Sequence, residues 1–150
     1  MDPLERLWRE EAPRLWRALL AYSSSVDVAS DALSEAFAQA AAGGPKIRMP
    51  ERWIWTAAFR IAAGELKDRA QSASLVAQSD HVDATDDALV LVEALRKLAP
   101  KQRAALVLHY YGGYRTREIG AILGTSSATV RVHLSAGRRR LRALLEVKDV

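Results

Sequence analysis

The chain has 150 residues, 49% hydrophobic and 27% charged, with 22 Lys/Arg against 18 Asp/Glu for a formal net charge of +4. That length builds one ordinary domain or two small ones, not a large enzyme around an enclosed cofactor. The absence of cysteine excludes disulfide scaffolds, thiolate metal sites and cysteine nucleophiles. No apolar run approaches the roughly 20 residues of a membrane helix. The start, Met1-Asp2-Pro3-Leu4-Glu5, lacks a basic segment followed by an apolar one, so a cytoplasmic, soluble, mainly helical protein is expected.

From Leu4 to Tyr22 the residues Leu4, Leu7, Trp8, Leu15, Trp16, Leu19 and Leu20 fall at helical spacing, with a kink or break expected at Pro13 and an end at Ser23-Ser24-Ser25. A second helix is expected from about Val28 to Ala41, with Leu33 and Phe37 one turn apart, Asp27 near its start and Gly43-Gly44-Pro45 as its stop. Pro50 suits the first turn of a third helix, whose stripe of Trp53, Ile54, Ala57, Ala58, Ile61, Ala62 and Leu66 ends near Arg69. Residues 70–86 lack periodicity and read as a linker, so domains are expected over 1–69 and 87–150. Helices then follow over Ala88–Leu98, Lys101–Tyr111 (Leu106, Val107 and Tyr110 inward), Thr116–Leu123 and Ser127–Glu146. No segment alternates with period two, and the fold class is all-α: two small helical domains joined by an acidic linker.

Charge is uneven along this chain. Residues 1–100 carry 12 Lys/Arg against 15 Asp/Glu, whereas residues 101–150 carry 10 against 3. Asp80, Asp83, Asp86 and Asp87 occupy the stretch from Ala70 to Val92, which has no Lys or Arg. A basic end suits a polyanion, because clustered cations release counterions from phosphates, although a solvated helix face has the same composition.

Residues 116–134, TREIGAILGTSSATVRVHL, resolve that ambiguity. A short helix with Ile119, Ile122 and Leu123 inward, Gly124 at the turn and Ser126 as cap of the next helix form a helix-turn-helix pattern. The following helix repeats Val130, Leu134, Leu141 and Leu145 on one face, and at about 100° per residue Ala128, Arg131, Val132, Ser135 and Arg139 point away from it. In such a motif the second helix enters the DNA major groove. Arg131 suits a bidentate bond to guanine, Arg138, Arg139, Arg140 and Arg142 suit phosphates, and Arg115 and Arg117 flank the first helix against the opposite backbone. Ser127 joins Ala128 as a small residue at the approaching end.

With these residues in hand, the chain resembles the extracytoplasmic-function (ECF) group of bacterial RNA polymerase sigma factors, which join a helical region 2 to a region 4 helix-turn-helix. Leu95-Arg-Lys-Leu-Ala-Pro-Lys-Gln-Arg103 through Tyr111 is similar to the start of region 4, and the match continues through Glu118-Ile119, Leu123-Gly124, Thr129-Val130 and Leu134-Ser135. Residues 10–15, EEAPRL, resemble the opening helix of region 2. Residues 29–37, ASDALSEAF, resemble the helix that grips the polymerase beta-prime clamp helices, and Trp53-Ile54 through Leu66-Lys67 resembles the helix that melts the minus-ten element and captures one strand. The resemblance implies binding to core polymerase (beta-prime clamp helices and beta flap) through Asp31, Ser34 and Glu35. It implies minus-thirty-five reading by the helix-turn-helix and minus-ten reading by the third helix, and it allows an anti-sigma factor as a further partner. The acidic segment would thread toward the RNA exit path. The chain departs from the family in having Ser34 where Gln is frequent, Arg60 where Asn is, and Gly64 where Asp is.

Asp31 and Glu35 are four residues apart on one face beside Phe37, which suits a basic partner and equally an ordinary solvated face. On the third helix, Trp53, Trp55 and Phe59 are candidates to stack on unpaired bases with Arg52, Arg60 and Lys67 on phosphates; of these, Trp53 is expected in the core and Trp55 exposed. A stand-alone helix-turn-helix regulator, with residues 1–70 for dimerisation or sensing, is the alternative. Catalysis is not expected: His81, His109 and His133 are scattered, and no catalytic residue, metal site or cofactor is foreseen.

Overall fold

The computed structural model describes residues 2–43, 47–71 and 86–146, and those residues are mainly helical with no strand among them. Seven helices follow in chain order among the described residues: α1 (Pro3–Ser23), α2 (Val26–Gly43), α3 (Pro50–Gln71), α4 (Asp86–Arg96), α5 (Pro100–Leu106, continuing as a π-helical turn over Val107–Tyr111), α6 (Thr116–Leu123) and α7 (Ser127–Glu146). They form two compact units, one of α1–α3 and one of α4–α7. The expected linker falls on residues 72–85, outside the described residues, while its flanks Ala70, Gln71 and Asp86 belong to helices.

In the first unit α1 packs against both α2 and α3, and α2 against α3. Asp2 caps α1 by accepting the Leu4 N–H at 3.3 Å, with Pro3 in the first turn. Of the kink or break expected at Pro13, the break does not occur: α1 continues through the proline. The proline lies on the exposed side, and flanking Ala12, Leu15, Ala18 and Leu19 are buried. Each buried leucine contributes about 1.5–3 kcal/mol, together enough to offset the roughly 3 kcal/mol cost of an internal proline. Ser24 ends the helix in the left-handed region (φ 56°), and Ser25 caps α2 by accepting the Val28 N–H at 3.2 Å. Trp16 on α1 donates its indole N–H to Ser30 Oγ on α2 at 3.2 Å, and Trp8 meets Phe37 edge-on with ring centroids 4.8 Å apart.

The second unit is held differently. Ile119, Ile122, Val130, Leu134 and Leu108 are buried at its centre. The C-terminus of α4 is held by arginine: buried Arg103 directs Nη1 at the carbonyls of Leu98 (3.3 Å), Leu95 and Arg96 (both 3.5 Å), and Arg140 Nε donates to the Lys97 carbonyl at 3.1 Å. Cations at this end complement the helix dipole and its unpaired carbonyls. Gly137 permits the close approach of α7 to α5, since a Cβ there would lie 3.1 Å from Leu106 Cδ1.

The π turn corrects one expectation. Its i→i+5 bond runs from the Gly112 N–H to the Val107 carbonyl at 3.0 Å, adding a residue to the turn and shifting the phase. Tyr110, expected inward, is 64% exposed.

Candidate nucleic-acid interfaces

The helix-turn-helix is fixed at its turn by backbone geometry. Gly124 takes φ 71°, a left-handed conformation open to glycine, and the Thr125 N–H donates to the Gly120 carbonyl at 2.8 Å. Gly120 has no room for a side chain, because a Cβ would lie 2.7 Å from the Thr125 carbonyl oxygen. Ser126 caps α7 by accepting the Thr129 N–H at 3.1 Å, as its position predicts. Glu118 Oε1 accepts the Arg115 N–H at 3.0 Å at the start of α6, and Thr116 Oγ1 and Ser127 Oγ, 3.2 Å apart, tie the beginnings of α6 and α7 together.

Opposite the buried Val130, Leu134 and Gly137, α7 carries Ala128, Arg131, Val132, Ser135 and Arg139, all exposed, with Ser127 half-buried at its head. Arg115 and Arg117 are exposed on the α6 side. These residues sit as the sequence reading has them, forming a ridge of small, apolar and cationic groups. Two other arginines are otherwise engaged. Arg138 lies over the Tyr110 ring at 5.3 Å, with Nε hydrogen-bonded to the Tyr110 hydroxyl. Arg140, expected on phosphate, is turned to the end of α4. His109 Nδ1 is bound to the Tyr114 carbonyl at 3.0 Å, and His81 lies outside the described residues.

In the first unit the structure corrects the aromatic assignment. Trp55 and Phe59 are buried (0% and 2% exposed) and cannot stack on incoming bases. Their rings stack on each other at 6.0 Å, and Tyr22 lies against Phe59 at 5.3 Å. Trp55 is stable there because its indole N–H meets an acceptor: buried Glu11 Oε2 at 3.0 Å. Arg14 Nη2 pairs with the same oxygen at 3.1 Å, and its guanidinium lies 5.1 Å above the Trp55 ring. The core seam of α3 is thus Ile54, Trp55, Ala58, Phe59 and Ala62. It is turned one residue from the stripe read in the sequence.

Trp53, expected in the core, is only half-buried and lines an open cleft of about 550 Å³ with Gln39, Arg48, Met49, Arg52, Thr56, Ala57, Arg60 and Ile61. Of the expected strand-capturing cations, Arg52 and Arg60 are in this cleft, and Lys67 is exposed further along α3. Arg48 was missed, and Trp53 was assigned to the core over stacking. Arg48 precedes the helix and had no periodicity to mark it, and Trp53 was lost to the one-residue error in the stripe. Met49 holds the cleft's mouth in a left-handed conformation (φ 52°), its sulfur 3.3 Å from Arg52 Nη2.

The acidic face of α2 presents Asp31, Ser34 and Glu35, all exposed, with Glu35 accepting from Gln39 at 3.2 Å. Glu65 of α3 belongs to the same field. Burial and the nearby charge of Asp31 push its carboxyl above the usual range, against the pull of Arg69 and with a further push from Asp68.

A family model for sigma-70 region 4 matches residues 88–141. The ECF RNA polymerase sigma factor SigL of Mycobacterium tuberculosis is 27% identical, the match covering 95% of this chain and 89% of that protein. The RNA polymerase sigma factor CarQ of Myxococcus xanthus is 28% identical over 96% of this chain and 90% of its own. The RNA polymerase sigma-E factor of Streptomyces antibioticus is 38% identical over 47% of this chain and 39% of its own. In fold, the chain is similar to the sigma factor RpoE of Bartonella quintana, solved in complex with the anti-sigma factor NepR: TM-score 0.86, 22% identity, covering 98% of this chain and 99% of that one. SigL and CarQ match both units and not the helix-turn-helix alone, which favours the sigma reading over a stand-alone regulator. Residues 88–141 thus match sigma-70 region 4, and across both units the chain is similar to ECF RNA polymerase sigma factors.

Proposed function

We propose that the chain binds core RNA polymerase and directs promoter-specific initiation in the cytoplasm, using its two units on two promoter elements and making or breaking no covalent bond itself. Residues 1–69 act as region 2, 70–86 as the linker and 87–150 as region 4. The α7 ridge of Ala128, Arg131, Val132, Ser135 and Arg139 reads the minus-thirty-five duplex, with Arg115 and Arg117 on its backbone.

The observation that carries this reading is the cleft with Trp53 among Arg48, Arg52 and Arg60. A regulator of closed duplex has no use for an aromatic ring among cations, whereas stacking on an unpaired base stabilises it by about 1–3 kcal/mol and so favours strand separation. Trp53 takes the stacking role first assigned to Trp55 and Phe59. Asp31, Ser34 and Glu35 form the polymerase-facing surface, and an anti-sigma factor is a further partner by analogy with the Bartonella complex.

The test is run-off transcription by core polymerase on a genomic library, with and without the chain. Discrete new start sites are expected, together with loss of co-purification for Asp31→Lys/Glu35→Lys. Trp53→Ala should retain upstream duplex binding and lose the permanganate-reactive thymines of the open complex. A chain that grips duplex unaided and yields no new starts with polymerase would overturn the reading.

A further inference from the structure

We propose that Val132, with Ala128 one turn before it, selects thymine in the minus-thirty-five duplex by contact with the C5 methyl group, beside the base read by Arg131. The inference rests on the promoter-reading role of α7 and adds the base class that its apolar patch accepts.

Val132 is 64% exposed, and among the described residues it is the large hydrophobic side chain left open to solvent on α7. Folding supplies no reason for it. A β-branched residue ranks low in helix propensity, and one on the solvent side gains nothing from the core. Its position gives a reason. Taking about 100° per residue, Val132 falls on the ridge with exposed Arg131, Ser135 and Arg139, facing away from buried Val130, Leu134 and Gly137. Ala128, also exposed, precedes it by one turn, so a methyl and an isopropyl group form one small apolar surface among cations.

Among base edges in the major groove, the thymine methyl is the apolar group, while guanine, adenine and cytosine present acceptors or donors there. A valine pressed on those polar edges would desolvate them without a partner, so the patch rejects the other bases as well as accepting thymine. Valine suits this role because χ1 is nearly fixed in a helix, and little freedom is lost on contact. The neighbouring cation leaves the patch open. Arg131 Nη1 reaches back to Ser127 Oγ at 3.4 Å, toward the start of α7, so its guanidinium does not cover Val132. Arg131 and Val132 diverge by about 100° around the helix axis, which directs them to neighbouring bases.

The experiment uses holoenzyme reconstituted from core polymerase and the full chain. Duplex libraries randomised over the upstream window are synthesised in parallel with thymidine and with deoxyuridine, which differ only in that methyl group. Wild-type chain is expected to enrich thymine about fourfold over uracil at one position next to the guanine governed by Arg131, the equivalent of about 0.8 kcal/mol for one buried methyl-sized group. Val132→Ser should abolish the difference and leave the guanine preference, while Val132→Thr, which keeps one methyl, should retain part of it. Equal enrichment of uracil and thymine at every position, or a thymine preference that survives in Val132→Ser, would overturn the inference and leave promoter reading intact. If no sequence is enriched from either library, promoter reading itself fails and the inference falls with it.

Discussion

The two units reach nucleic acid by opposite constructions. In the first, large side chains are locked to one another through polar atoms, Trp55 to Glu11 and Trp16 to Ser30, and the candidate binding residues ring a cleft. In the second, small residues let the backbone close up at Gly120 and Gly137, and the candidate binding residues stand on a ridge. A cleft suits a flexible strand whose bases can turn outward. A ridge suits the groove of a closed duplex. The difference also says where each unit is vulnerable: the first to loss of volume, the second to its addition.

The largest expected effect follows from that. Trp55→Ala should destabilise the first unit by about 3–5 kcal/mol, through the cavity and the loss of Glu11's buried donor. Trp55→Phe, which removes the donor and keeps most of the volume, should cost about 1–3 kcal/mol. Urea unfolding followed by circular dichroism separates the two. Equal and small effects would mean that the buried Glu11–Trp55 bond is incidental. In the second unit Gly120→Val should cost about 1–3 kcal/mol or more by driving a side chain into the Thr125 carbonyl. Its melting should leave the first unit folded if each stands on its own core.

Arg131→Ala should cost about 1–3 kcal/mol in promoter affinity and relax base preference at one position, whereas Arg139→Ala should weaken all sequences alike and lower the salt slope by about one. Both are read by holoenzyme binding across a salt series, and loss of stability alone in both variants would place the docking face elsewhere. The smallest effect concerns Glu65. Its carboxyl is held above the usual carboxylate range, chiefly by burial and the charge of Asp31, so the folded state holds the proton more tightly than the unfolded one. The penalty is absent at acid pH and appears as pH rises through the unfolded and then the folded value. Glu65→Gln should therefore raise the urea midpoint slightly at neutral pH, a gain that vanishes below about pH 4.5.

How far the sequence could be read differs between the units for a physical reason. The bounds of α6 and α7, the Ser126 cap, the Gly124 turn and the exposed ridge were all legible, because a helix-turn-helix is specified by local signals at fixed offsets. Trp55 and Trp53 were exchanged, because their placement depends on a tertiary acceptor, Glu11, 44 residues away in sequence. Periodicity sets the spacing of a stripe and leaves its rotation by one residue undecided when two tryptophans flank an isoleucine. Arg140 and Arg103 escaped in the same way: the unpaired carbonyls of α4 recruited them, and nothing near either arginine announces that. Tyr110 was misplaced because the 3.6-residue period was carried through a turn that does not obey it.

That wider turn bears on which changes the second unit tolerates. Val107–Tyr111 works as a phase adjuster, absorbing one residue so that everything downstream keeps its bearing on the hydrophobic centre. Removing a single residue there would restore an ordinary helical register and sever the tyrosine seat beneath Arg138. Loss of one residue among these five is accordingly expected to cost the unit more than replacement of a side chain that faces outward.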